Sequence, residues 1–191
     1  MGVLAALLGG TGLIILASVR GDVWRIVGAA VFVATLVTLY AASTAYHAAR
    51  SERIKRRLKV LDHCAIYLLI AGSYTPFLLN DLRGPWGWSL FGVIWGLAVA
   101  GIAFKFFFTG RFRLVSTLLY LLMGWLVLIA AVPMLRNMQV TTLAWLAAGG
   151  LAYTAGTPFY HAVRMCYAHA VWHLFVLAGS ACHAIAVATQ L

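Results

Sequence analysis

Seven apolar runs dominate this chain, at residues 2–19, 26–48, 60–79, 86–108, 114–133, 141–160 and 169–190. Crossing ~30 Å of hydrocarbon at 1.5 Å per residue takes about 20 residues. Seven crossings therefore use most of the 191 residues and leave only short links between them. With no water in the hydrocarbon, each crossing must satisfy its own backbone, which makes it helical. The expected fold is all-α: a polytopic membrane protein, one seven-transmembrane helical bundle over residues 1–191. The first run lacks a basic flank and an A-x-A cleavage site, so it is expected to remain as a helix rather than act as a signal peptide.

The charged residues agree with this reading. There are 14 Lys and Arg against 4 Asp and Glu, with 64% of the chain hydrophobic, a balance that excludes a soluble domain. A net charge of +10 would suit nucleic acid only if it covered a folded polar surface. Here it sits in short links, so no nucleic-acid partner is expected. The second, fourth and sixth links with their flanks hold ten basic residues: Arg50, Arg53, Lys55, Arg56, Arg57, Lys59, Lys105, Arg111, Arg113 and Arg164. The other three hold four, Arg20, Arg25, Arg83 and Arg136. The positive-inside rule then puts the N-terminus in the cytoplasm and the C-terminus outside.

Polar side chains at membrane depth are the next constraint, because a central Asp costs about 2.5–3.5 kcal/mol to insert and marks a partner or a function. Ser43 and His47 end the second run, Asp62 and His63 open the third, His161 ends the sixth, and His169 and His173 open the seventh. All lie at the cytoplasmic level, and only His183 is deeper. Ser43 with His47, and His169 with His173, are each four residues apart and share a helical face. Three imidazoles from two helices can thus meet one ion. Zinc accepts neutral imidazole, and three protein ligands leave a fourth position open for water. A lone histidine at a helix end is more often interfacial or hydrogen-bonded. H-x-x-x-H with Ala170 where a metalloprotease carries Glu is weak by itself. The weight comes from several polar groups meeting at one level.

Three segments then carry a resemblance: S-T-A-Y-H at Ser43 to His47, L-D-H-C-A-I-Y-L-L-I-A-G-S-Y-T-P-F at Leu61 to Phe77, and H-A-V-W-H-L-F-V-L-A-G-S-A-C-H at His169 to His183. The chain resembles the hemolysin III proteins, bacterial members of the progestin and adipoQ receptor family within the ceramidase-like membrane hydrolase superfamily. The resemblance implies a bacterial inner-membrane protein with zinc held by His47, His169 and His173. It also implies Asp62 near the water that the metal activates, and Ser43 as the remaining polar position. His63 and His183 are not ligands by this transfer, and His161 has no assigned role. No long cytoplasmic region precedes the first run, so receptor signalling is not expected.

The function this implies is hydrolysis of a lipid amide or ester, with Asp62 taking a proton and Ser43 orienting water or the developing oxyanion. Two other readings stay open: a metal-stapled regulator or sensor of the membrane without turnover, and a pore. Stacked haems on His169 and His183, fourteen residues apart, are a remoter alternative that leaves His183 without a partner on another helix. Cys64, Cys166 and Cys182 form no CxxC pair and are read as small packing residues. The two T-P-F segments, at Thr75 and Thr157, are read as local kinks whose freed carbonyls a neighbouring Thr can satisfy. Trp24, Trp86, Trp88 and Trp172 are read as interfacial anchors. Gly92 and Gly96 are read as a packing seam, and the pair Gly149-Gly150 as permitting close helix approach.

Overall fold

A computed structural model describes residues 2–109, 111–162 and 164–191. Those residues form eight α-helices and one 3-10 segment, with no strand among them. The helices are α1 (Gly2–Arg20), α2 (Val23–Ala48), α3 (Glu52–Leu79), α4 (Pro85–Phe108), α5 (Arg113–Trp125), α6 (Ala131–Asn137), α7 (Val140–His161) and α8 (Ala168–Gln190). Five stretches are long and apolar enough to cross a membrane: α1, α2, α4, α8 and the interrupted rod Arg113–Asn137. Helices α3 and α7 have the length but carry more polar groups, among them Ser73 and Thr75 in one and Thr154 and Thr157 in the other.

Local chemistry sets the helix ends. Gly21 takes the left-handed conformation (φ 72°) that closes α1, where a side chain would be strained. Asp22 then caps α2, its carboxylate accepting from the amides of Trp24 at 2.8 Å and Arg25 at 3.2 Å. Helix α3 starts at Glu52, eight residues before the expected crossing, because Arg, Lys and Glu are good helix formers even where the sequence is too charged for hydrocarbon.

The fifth run is not the continuous helix expected at 114–133. It breaks at Leu126–Ala130 into a 3-10 segment, and the cause lies on another helix. The Tyr74 hydroxyl of α3 approaches the carbonyls of Met123 and Gly124 at 2.7 and 2.8 Å and accepts the Val127 amide at 2.9 Å. A side chain that enters the backbone ladder takes over its hydrogen bonds and interrupts the α pattern. Pro133, early in α6, adds a position with no amide hydrogen to donate.

Helix α3 is the hub, packing on α2 and α4, while α7 packs along α8 and α1 along α2. Small residues allow these approaches. A Cβ on Gly72 would collide with Thr35, and one on Gly149 with the His183 ring. Gly92 and Gly96 instead face open space, so they form no seam within the chain. The seams run through Gly10, Gly28, Gly72, Gly101 and Gly149. Pro76 and Pro158 both lie inside helices. For Pro158 the freed carbonyl of Thr154 accepts from Thr157 at 2.8 Å, as the sequence suggests. Near Pro76, Thr75 bonds the Ala71 carbonyl at 2.9 Å and also accepts from the Trp95 indole at 3.2 Å, which ties α3 to α4.

At the bundle end remote from the histidine pairs, the α3–α4 turn places Asp81 near Arg25, whose guanidinium donates to the Leu191 carbonyl at 2.9 Å. One carboxylate oxygen of Asp81 is buried with no hydrogen-bond partner among the described residues. Burial pushes its pKa up to about 6, partly opposed by Arg25. A carboxyl raised in the folded state contributes stability that is complete below its unfolded value and is lost as pH rises through the folded one. Thermal stability is therefore expected to fall between pH 5 and pH 7. Asp81→Asn should flatten that slope and melt above the parent at pH 7, as melting curves at the two pH values would show.

Candidate metal centre

The last turn of α2 and the first turns of α8 bring three imidazoles together. His169 Nε2 lies 3.2 Å from His47 Nε2 and 3.1 Å from His173 Nε2. Each residue of the trio offers a ring nitrogen within 4.8 Å of those of the other two. His47 and His169 are exposed, and His173 is half-buried. The i, i+4 spacing of His169 and His173 does what helical geometry requires, setting the two rings edge to face with centroids 4.6 Å apart.

Hydrogen bonding alone serves this trio poorly. A neutral imidazole nitrogen carries either one hydrogen or one lone pair, so His169 Nε2 cannot make a good bond to both neighbours. A shared ion removes the conflict. Two nitrogens at about 2.0–2.1 Å from a tetrahedral zinc stand roughly 3.3 Å apart, close to the separations here. The donor set and its spacing therefore fit zinc.

Asp62 and Ser43 line the same internal cavity as the three histidines. Ser43 sits one turn before His47, and Asp62 lies on α3, 18% exposed. The Asp62 carboxylate is 3.4 Å from His63 Nδ1, although that nitrogen makes no hydrogen bond. His63 Nε2 instead meets the Tyr160 hydroxyl at 3.3 Å, and its carbonyl accepts from Tyr120 at 3.1 Å. His161 Nε2 pairs with Thr117 at 3.0 Å, joining α7 to α5. These two histidines thus have partners away from the trio.

The cavity occupies about 730 Å³ and runs from the histidines through an apolar interior, past Ile66, Leu121 and Val176, to Leu82 and Leu143. His183, ten residues after His173 and so about 15 Å further along α8, lines its deeper part. There its ring packs against Gly149 and edge-on to Tyr153, with centroids 5.4 Å apart. The ring is wedged against α7.

Several features escape a sequence reading. Tyr40 and Tyr153 both meet the Ser180 hydroxyl, at 3.0 and 2.9 Å, linking α2, α7 and α8 below the histidines. Trp172, expected as an anchor, lines the cavity and packs on Tyr160 with centroids 5.5 Å apart. Trp24 and Trp88 pair edge to face at 5.6 Å across helix starts. The three cysteines are free, and Cys166 is exposed in the α7–α8 link, so it does not pack as expected.

Comparison with known proteins supplies the family. The haemolysin-III related family model matches residues 1–184. The chain is 46% identical to hemolysin-3 of Bacillus cereus over 169 residues, covering 88% of this chain and 77% of that protein. It is 45% identical to the hemolysin-3 homolog of Bacillus subtilis (strain 168), covering 88% and 79%. A more distant relative is the human monocyte to macrophage differentiation factor, 31% identical over 175 residues, covering 87% and 71%. With its run of apolar helices, the chain is a multi-pass membrane protein and belongs to the haemolysin-III related family.

Proposed function

We propose that this protein is a seven-span zinc-dependent hydrolase of the bacterial inner membrane, acting on an amide or ester bond of a lipid near the cytoplasmic interface. The observation that carries this reading is the meeting of three imidazole nitrogens at the head of a long apolar cavity that Asp62 and Ser43 also line. His47, His169 and His173 would hold the metal, which when bound supplies Lewis acidity and activates water near neutral pH. The cavity would take the lipid chains and keep bulk water from the reacting bond. Asp62 would accept the proton of the attacking water and return it to the leaving group. The Ser43 hydroxyl would donate to the oxygen on which negative charge develops. Release of product from a ceramide or another lipid amide, lost in metal-free protein and restored by zinc, is the test.

A second reading has its own support. Helices α2 and α8 are joined by polar side chains at two levels, the histidines at one end and Tyr40 with Ser180 below. A metal there would staple two helices, as a regulator or sensor without turnover needs. Under this reading removal of the metal lowers stability and no lipid is consumed.

The proposed orientation is supported by the ten-to-four division of basic residues and by the charged start of α3, where Arg53, Arg56 and Arg57 are exposed. The N-terminus and the 49–59 link would lie in the cytoplasm and Leu191 outside. Reporter fusions at residue 191 should be active only in their extracytoplasmic form. A cytoplasmic C-terminus would remove one span or reverse the bundle.

A further inference from the structure

Lys105 is the one lysine in the core, 2% exposed in the last turn of α4. Its ammonium donates to the Ser116 hydroxyl at 2.5 Å and lies 6.0 Å from the centre of the Tyr120 ring. Ser116 in turn donates to the Phe112 carbonyl at 3.1 Å. No carboxylate reaches Lys105 among the described residues, where the ion pair found joins His63 and Asp62. A buried cation held by a hydroxyl alone is costly, because neither a hydroxyl nor an aromatic face replaces a counter-ion.

The charge around it has the same sign. Lys105, Lys59 and Arg113 all line the cavity at its histidine end, from three different helices, and Asp62 is the carboxylate that lines it with them. Arg113 is held there by stacking 5.1 Å over the Tyr160 ring and by donating to the Tyr160 carbonyl at 3.3 Å. Three cations against one carboxylate leave the entrance electropositive. The interior beyond it is lined by Leu39, Ile66, Leu121 and Val176.

We infer that Lys105, with Lys59 and Arg113, binds the phosphate of an anionic lipid whose chains enter the cavity. A phosphate spreads its charge over several terminal oxygens and can meet donors arriving from three directions, whereas a carboxylate offers two in one plane. The apolar interior selects a lipid over a free anion. The inference rests on the cavity being a lipid site, as proposed above, and needs no turnover.

The test uses the full chain in detergent micelles, with dioleoyl phosphatidate and dioleoylglycerol as probes that share their chains and differ in the phosphate. Phosphatidate is expected to bind at least about tenfold more tightly, a difference large enough to read directly in Kd. Lys105→Met should bring the two lipids to near-equal affinity, while Lys105→Arg and the exposed control Arg57→Gln keep the preference. Without ligand, Lys105→Met should melt above the parent, since it removes a buried charge, yet it should gain less from added phosphatidate. Equal affinity of the parent for both lipids overturns the inference even if no variant folds. So does a Lys105→Met protein that keeps the preference. Inorganic phosphate displacing phosphatidate at equal affinity would make this a free-anion site, and oleate binding as tightly would make it a carboxylate site; either result overturns the lipid phosphate. Hydrolysis of a neutral lipid amide is read separately, so a failed hydrolase reading and a failed phosphate site give different results.

Discussion

His47→Ala, His169→Ala and His173→Ala are each expected to lose most of the bound zinc, while His63→Ala and His183→Ala retain it. The first three present nitrogens to one point. His63 is engaged with Tyr160, and His183 lies about three turns of α8 away, against Gly149. Elemental analysis of purified protein reads the difference directly. A metal bound by the folded state alone stabilises it by roughly 3–4 kcal/mol at 100 to 1,000 times its dissociation constant. Chelation should therefore lower the melting temperature of the parent and hardly move that of the three variants. Equal zinc in the parent and all three would remove the proposed centre.

Asp62→Asn is the second large effect. The substitution keeps size and most hydrogen bonding but removes the negative charge that would take a proton from the attacking water. If the protein is a hydrolase, turnover of a lipid amide should fall roughly 100-fold or more, the range for general acid–base catalysis, with zinc content and fold unchanged. A metal staple predicts no turnover in either form and a modest shift in melting temperature. Loss of zinc in Asp62→Asn would make Asp62 a metal ligand and close the coordination position that the hydrolytic mechanism needs.

Hydropathy located all the long helical stretches because burial in hydrocarbon leaves so strong a compositional mark. The first, second, fourth and seventh runs end within about three residues of α1, α2, α4 and α8. It misplaced the start of α3, since hydropathy reports where a chain crosses and not where its helix begins. It also missed the break after Trp125. Nothing in Leu126–Ala130 foretells a 3-10 segment, because the hydroxyl that takes over the backbone bonds belongs to Tyr74, about fifty residues earlier.

The site shows the same division. Pairs four residues apart are local, so the facing of His169 and His173 was readable from their spacing. The approach of His47 needed the family motif or a structure. In the sequence Lys105 is only one of ten basic residues in or beside the links, because its burial depends on Ser116 and Tyr120 from α5. Tyr40, Tyr153 and Ser180 likewise come from three helices and carry no motif. What the sequence hides here is tertiary: each missed residue acts through a partner that spacing along one helix cannot supply.

X-ray absorption at the zinc edge, on protein purified without chelator and quantified by elemental analysis, tests the metal centre most directly. One zinc per chain is expected, with a first shell of nitrogen and oxygen at about 2.0–2.1 Å and the outer-shell scattering of three imidazoles. Zinc well below one equivalent, or a sulfur shell near 2.3 Å pointing to cysteine, would contradict it.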